Sequence, residues 1–366
     1  MNDLTSTWRR NPDHIDLERP DTWYKGQYCN RFPFDRAVNV ADVIHGWRPA
    51  NKLIGHDTKV MAFGSCFAEY FIKFLAAHGY NRWQLPKEED ATCDTNLLIA
   101  LSQSFENLFV IVQHVRWAFG DFTPTSKLWF AKDKTFFEAT EERRARVRRS
   151  FEEGEVFILT LGLSEVWFDK VANEPMWRSI PARLYEPERY VCKGATVADT
   201  VAAFYEFDTL ADRLMPDKHF IFTLSPVPLV ATFRNQAAVT ANQVSKSVLR
   251  AALDEFITNS AIEAKGRYHY FPSYELVLSL FDRPFLPDNR HPRPEVAQMV
   301  LDIFSSIYTD LPVQARNIQE SYVASLESQV RDLQRQLVEK EKIILDLDKA
   351  AHERLELIER LTGKIT

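Results

Sequence analysis

Val60-Met61-Ala62-Phe63-Gly64-Ser65-Cys66-Phe67-Ala68 is the stretch on which the reading of this chain turns. Its first four residues are a short apolar run. Beyond Ala68, Phe71, Ile72, Phe74 and Leu75 recur at helical spacing, with Glu69 in the first turn. The pattern predicts strand, tight turn, helix. It places the Ser65 hydroxyl at the carboxyl edge of a sheet, beside the positive end of a helix, where open α/β sheets bind their ligands. A serine there has two readings: a nucleophile, or a helix N-cap, for which Ser is a preferred residue. Cys66 is a rival nucleophile at the same helix start, where a thiol pKa is lowered, although free cysteines are commonly buried.

Further apolar runs follow at 156–161 and 220–224, with a weaker one at 268–271, and helical patterns separate them at 95–119, 197–214, 245–264 and 294–308. Short buried runs alternating with helices predict a mainly parallel sheet covered on both faces, a three-layer α/β/α sandwich. The segments 121–134 and 170–193 read as excursions at the sheet edge. Residues 1–57, with Trp8, Trp23 and Trp47, read as an arm anchored on a domain spanning 58–312.

Near the far end of that domain, Phe285-Leu286-Pro287-Asp288-Asn289-Arg290-His291-Pro292 sets a carboxylate three residues before a histidine. A neutral imidazole accepts a serine proton when a carboxylate fixes its tautomer, and this spacing lets one loop supply both groups. The competing reading is an Asx turn that caps the helix after Pro292.

Six blocks taken in order carry a resemblance. They are Gly64 to Ala68, Thr160-Leu161-Gly162-Leu163-Ser164-Glu165-Val166-Trp167, Thr223-Leu224-Ser225-Pro226-Val227-Pro228, Asn242-Gln243-Val244-Ser245-Lys246, Phe271-Pro272-Ser273-Tyr274-Glu275, and Asp288 to Pro292. The chain resembles the GSCFA family over about residues 58–310, and that family looks like a branch of the SGNH/GDSL hydrolases. The resemblance implies an SGNH-like, flavodoxin-like sandwich in which Ser65 is the nucleophile and Asp288 and His291 are its Asp-x-x-His pair. It also implies that the edge excursions form the acceptor-binding wall. The pattern departs from the superfamily at the Gly-x-Asn block, where Ser164 follows Gly162 in the Asn position. Main-chain N–H groups of Ser65 and Cys66, with Gly162, Ser164 or Asn96, are the expected oxyanion donors. Glu165, Trp167, Ser225, Asn242 and Lys246 are the substrate-binding candidates, Asn242 and Lys246 being read as touching substrate or orienting the loop after Pro226.

These readings predict a serine esterase or O-acyltransferase acting on acyl esters of a carbohydrate, with no required cofactor and acyl-coenzyme A as donor if it is a transferase. The alternative is a non-catalytic scaffold that works through its tail. In that tail Val323, Val330, Leu337, Ile344, Ala351, Ile358 and Ile365 recur every seven residues, with Leu326, Leu333, Leu347 and Leu361 three positions on. Lys340 and Arg354 interrupt the second series. This heptad predicts a parallel homodimeric coiled coil over 318–366, about 60 Å long, against the alternative of a helix folded back on the domain.

Composition bounds the rest. A formal charge of −6 gives no support to nucleic-acid binding. No apolar run approaches the roughly 18 residues of a membrane span, and Met1 to Pro20 lack an apolar signal-peptide core. Cys29, Cys66, Cys93 and Cys192 are scattered, which fits free thiols in the cytoplasm. His56, His78, His114, His219 and His269 lack metal-ligand spacing and are expected to be structural. The run Arg143, Arg144, Arg146, Arg148 and Arg149 reads as a solvated helix face with its positive charge at the C-terminal end, or as an anion clamp.

Overall fold

The computed structural model describes residues 32–33, 37–65, 67–80, 107–124, 139–177, 179–311 and 315–362. Cys66 and Asn96, both expected near the site, lie outside these residues, as do Cys29, Cys93, Trp8 and Trp23.

Four strands, β1 (Val60–Gly64), β2 (Val156–Leu161), β6 (His219–Leu224) and β7 (Tyr268–Tyr270), form a parallel sheet in the order β1-β2-β6-β7. Side chains alternate across it. Met61, Phe63, Phe157, Leu159, Phe220 and Phe222 enter one core, while Val60, Ala62, Val156, Ile158 and Ile221 enter another. Burial on both faces is why these strands are near-continuous apolar runs.

The first core is closed by helices α3 (Leu108–Ala118), α4 (Glu141–Glu153), α5 (Val197–Leu214) and α6 (Ala238–Ile257), and by the short α7 (Ser260–Glu263). The second is closed by α1 (Val40–Ile44), α2 (Phe67–Ala77), α8 (Ser273–Leu280) and α9 (Pro294–Tyr308). Strands added in one direction by right-handed crossovers leave their connecting helices on one face, which accounts for α4, α5 and α6 sharing a core. Trp47, ahead of β1 in the chain, docks edge-on against Tyr270 of β7 at 5.0 Å.

Three details differ from expectation. The helix expected at 245–264 begins earlier and is split into α6 and α7. The buried stripe of α6 opens with Ala241, Ser245 and Lys246, so apolar periodicity emerges only from Leu249 onward. Residues 165–194 make a second, antiparallel sheet, β4-β3-β5, from β3 (Glu165–Asp169), β4 (Glu174–Met176) and β5 (Tyr190–Gly194). The basic helix α4 runs on to Glu153, so its last turn carries no cation. Instead Arg144, Arg148 and Arg149 pair with Glu141, Glu152 and Glu153 along a solvated face.

The tail is one helix, α10 (Ala315–Thr362), about 70 Å long at 1.5 Å per residue. It lies against α9 near its start, where Asp332 pairs with Arg293. Beyond that contact Leu337, Ile344, Leu347, Ile358 and Leu361 stand more than half exposed. No helix among the described residues is long and apolar enough to cross a membrane.

Candidate active site

At the end of β1 the chain turns into α2 through Gly64 and Ser65. Gly64 has φ +119°, and a Cβ there would overlap the Thr160 carbonyl on β2. Glycine is therefore required, and the turn is pressed against its neighbour. Ser65 is buried, and its N–H donates to Thr160 O at 3.0 Å. Its Oγ accepts the Phe67 N–H at 3.1 Å and lies 3.3 Å from Thr160 Oγ1. The capping role is thus real: Ser65 holds the first turn of α2, and the same geometry sets its hydroxyl at the positive end of that helix.

Ser65 lines a cleft of about 400 Å³ at the carboxyl edge of the parallel sheet. Gly162 and Leu163 after β2 and residues 227–231 after β6 form two of its sides. The small antiparallel sheet contributes Glu165, Trp167, Met176 and Cys192, with Trp177 just beyond β4. Trp167 meets Phe233 edge-on at 4.7 Å. Burial, reinforced by the nearby Glu165 carboxylate, pushes the Cys192 thiol up to about 12, so it is no thiolate nucleophile at neutral pH.

One face of α6 holds two of these walls. Lys246, almost fully buried, donates from Nζ to Gly162 O at 3.0 Å and Val227 O at 3.1 Å. Asn242 Oδ1 accepts the Leu229 N–H, and Ser245 Oγ accepts the Ser164 N–H at 2.6 Å. Positions 242, 245 and 246 fall on one helix face, so a single helix clamps the loops after β2 and β6. Asn242 and Lys246 thereby orient the loop after Pro226, one of their two expected roles, and neither lines the cleft. Ser225 is likewise internal, its Oγ accepting the Val227 N–H. Glu165 lines the cleft with both oxygens engaged, by Thr232 Oγ1 at 2.7 Å and by the Phe233 N–H.

Asp288 and His291 sit on a tight hairpin. Phe285 pairs with Pro292, the Leu286 N–H donates to His291 O, and Asn289 takes a left-handed φ of 56° at the tip. Asp288 Oδ1 accepts the N–H groups of Arg290 and His291, and Oδ2 lies 2.5 Å from His291 Nδ1. That contact with the ring, then the two N–H groups, hold the Asp288 carboxyl down at about 2. The Asx turn therefore exists, but it closes the hairpin. Helix α9 starts without a side-chain cap. Both side chains are more than two-fifths exposed, and no hydrogen bond joins His291 to Ser65. Between them in sequence, Arg290 reaches back to Pro228 O and lines the cleft.

Arg290 and Asn107 are among the cleft residues that were not site candidates in the sequence. Arg290 was hidden between Asp288 and His291. Asn107 caps α3, its Oδ1 accepting the Val110 N–H at 2.9 Å, and it lines the cleft beside Ser65. An Asn directly before the apolar run 108–112 is a helix-start signal that could have found it. Elsewhere, burial holds His114 at about 3 and His269 at about 4, so both are neutral. Among the described residues no cluster of three or more His, Cys, Asp or Glu is placed to hold a metal.

The model of the GSCFA family matches residues 59–304, two thirds of the chain. Among curated proteins no relative matches.

Proposed function

Because this chain belongs to the GSCFA family, and because Ser65 lines a cleft beside a hairpin that presents a carboxylate-held histidine, we propose that it is a serine esterase or O-acyltransferase of SGNH type. The fold we assign it is the three-layer sandwich of those hydrolases. The observation that carries the reading is the 2.5 Å contact between His291 Nδ1 and Asp288 Oδ2, which leaves Nε2 as the basic edge of the ring.

In the mechanism, Ser65 Oγ attacks the acyl carbonyl of an ester while His291 Nε2 takes its proton. The tetrahedral intermediate collapses to an acyl-enzyme as His291 returns that proton to the departing alcohol. Water or a second alcohol, deprotonated by His291, then attacks the acyl-enzyme, and as the Ser65 acyl bond breaks His291 returns that proton to Ser65 Oγ. Closure of the exposed His291 hairpin on bound ester would complete the Ser–His contact, since catalytic hydrogen bonds often tighten only in the complex. The Ser65 and Ser164 N–H groups already donate to Thr160 O and Ser245 Oγ. Cys66 lies outside the described residues, so the oxyanion would draw on the Gly162 N–H and on the Asn107 amide. Carbohydrate esters remain the substrate class suggested by the superfamily resemblance, with acyl-coenzyme A as donor for a transferase in the cytoplasm.

Intact-mass detection of labelling by a fluorophosphonate tests this. One adduct on wild type, absent from Ser65→Ala and strongly slowed in His291→Ala, is the expected result. No adduct on folded wild type, or an adduct that survives Ser65→Ala, would overturn it.

A second reading is favoured by the exposed apolar stripe of α10. In it the domain is a scaffold, and the tail pairs with a second copy as a parallel coiled coil. The dimer itself is compatible with both readings. Light scattering on the full chain and on Ile344→Lys would separate dimer from monomer, and a phenotype lost with the dimer but kept in Ser65→Ala would favour the scaffold.

A further inference from the structure

The cleft is chemically one-sided. Trp167, Trp177, Met176 and Leu229 line it, and Val230 and Phe233 beside them are exposed at 74 % and 60 %. Large apolar side chains left in water around a concavity mark a binding site.

Its polar groups are sorted by what they have left to offer. Both oxygens of Glu165 are occupied, by Thr232 Oγ1 and the Phe233 N–H. The Asn107 oxygen is occupied by the Val110 N–H, which leaves its amide N–H pair. The Arg290 guanidinium makes two long contacts, both to Pro228 O, from Nε at 3.4 Å and Nη2 at 3.3 Å. No carboxylate of the described residues lies within ion-pair distance of it. Asp288, its nearest acid in sequence, is committed to His291 and to its own turn. The cleft therefore presents apolar walls, spare donors and a cation without a counter-charge.

A guanidinium in this state favours a carboxylate or phosphate, which it meets in two parallel charge-assisted bonds. A neutral sugar leaves that guanidinium without a counter-charge, whatever hydroxyl contacts the Ser65, Ser179 and Glu165 oxygens offer it. We infer that the cleft binds an anionic amphiphile, an apolar chain or ring bearing a carboxylate or phosphate, with the apolar part against Trp167 and the charge on Arg290. As a statement about substrate this rests on the acyl-transfer reading. It directs that reading away from neutral sugar esters and toward an acyl or alcohol portion that carries negative charge. As a statement about binding it requires no turnover.

The experiment is calorimetric titration of the full chain with hexanoate, hexyl phosphate and hexan-1-ol, which share one chain and differ in the head. The expected result is that at least one anion binds about tenfold or more tightly than the alcohol. Arg290→Gln should erase that preference while leaving hexan-1-ol binding unchanged, which also shows that the cleft is intact. Trp167→Ala should weaken all three ligands. The stronger anion tells carboxylate from phosphate. Equal affinity for alcohol and anions, a preference that survives Arg290→Gln, or no binding by any probe would overturn the inference. Anion preference in a protein that fluorophosphonate does not label would keep the inference and discard acyl transfer. Labelling without that preference would do the reverse.

Discussion

The two halves of the candidate site are held in opposite ways. Ser65 is buried, its main chain is laddered to Thr160, and its hydroxyl is tied into the first turn of α2. Asp288 and His291 stand in solvent on a hairpin whose hydrogen bonds are mostly its own. One half is positioned by the core of the fold and the other by a local turn. The contrast teaches where rigidity has been placed: at Ser65 and the cleft walls, while the Asp288–His291 pair rests on a local turn. It also predicts that equal-sized substitutions in the two halves have very unequal effects on stability.

The largest effect is expected at Gly64. Alanine there combines an unfavourable φ with overlap of its Cβ against the Thr160 carbonyl, a backbone group fixed in the sheet. A loss on the order of 4 kcal/mol or more in urea unfolding is expected, enough to unfold a marginal domain. Gly266 is the control, since it too has positive φ, at +64°, but has open space around it. Gly266→Ala should cost only about 1 kcal/mol. Equal losses at the two positions would mean that close approach to β2 does not hold the Ser65 turn.

A smaller loss is expected one layer out, at Lys246. Replacing it with Met keeps the stem and deletes the ammonium that serves Gly162 O and Val227 O, for a cost of about 2–3 kcal/mol. The same change should loosen the loops that wall the cleft and weaken hexanoate or hexyl phosphate binding. A cost below about 1 kcal/mol would show that other donors reach those carbonyls, and that α6 is not the clamp.

Lys246 also marks where the sequence stopped being readable. Strands were visible because burial on both faces leaves continuous apolar runs such as Val156–Leu161. Helices α5 and α9 were visible because large apolar residues recur at helical spacing along their buried faces, as Phe204, Phe207 and Leu210 do in α5 and Val296, Val300 and Ile303 in α9. The first half of α6 was not, because the clamp it builds needs Asn242, Ser245 and Lys246 where a hydrophobic stripe would otherwise run. The site divides in the same way. The Asp288–His291 contact was legible, since three residues of spacing suffice to make it. The cleft was not, because Asn107, Trp177 and Arg290 come together through loops whose course carries no period.

The smallest effect on stability is expected at His291, and it is the sharpest test of the contrast. If the hairpin is held by its main chain and by the two N–H groups on Asp288 Oδ1, His291→Ala should leave the urea midpoint unchanged within error. The Asp288 carboxyl is a finer gauge. The His291 ring is the largest cause of its value near 2, and the backbone N–H groups of Arg290 and His291 come next. Removing the ring should therefore raise that pKa only part of the way to the usual carboxylate range, because both N–H groups stay in place. An NMR titration of the Asp288 carboxyl in wild type and His291→Ala reads this directly. A full return to about 3.9, or a clear fall in the urea midpoint, would mean that the imidazole holds the turn. His291 would then be part of what builds its own loop, and the two halves of the site would differ less than their exposure suggests.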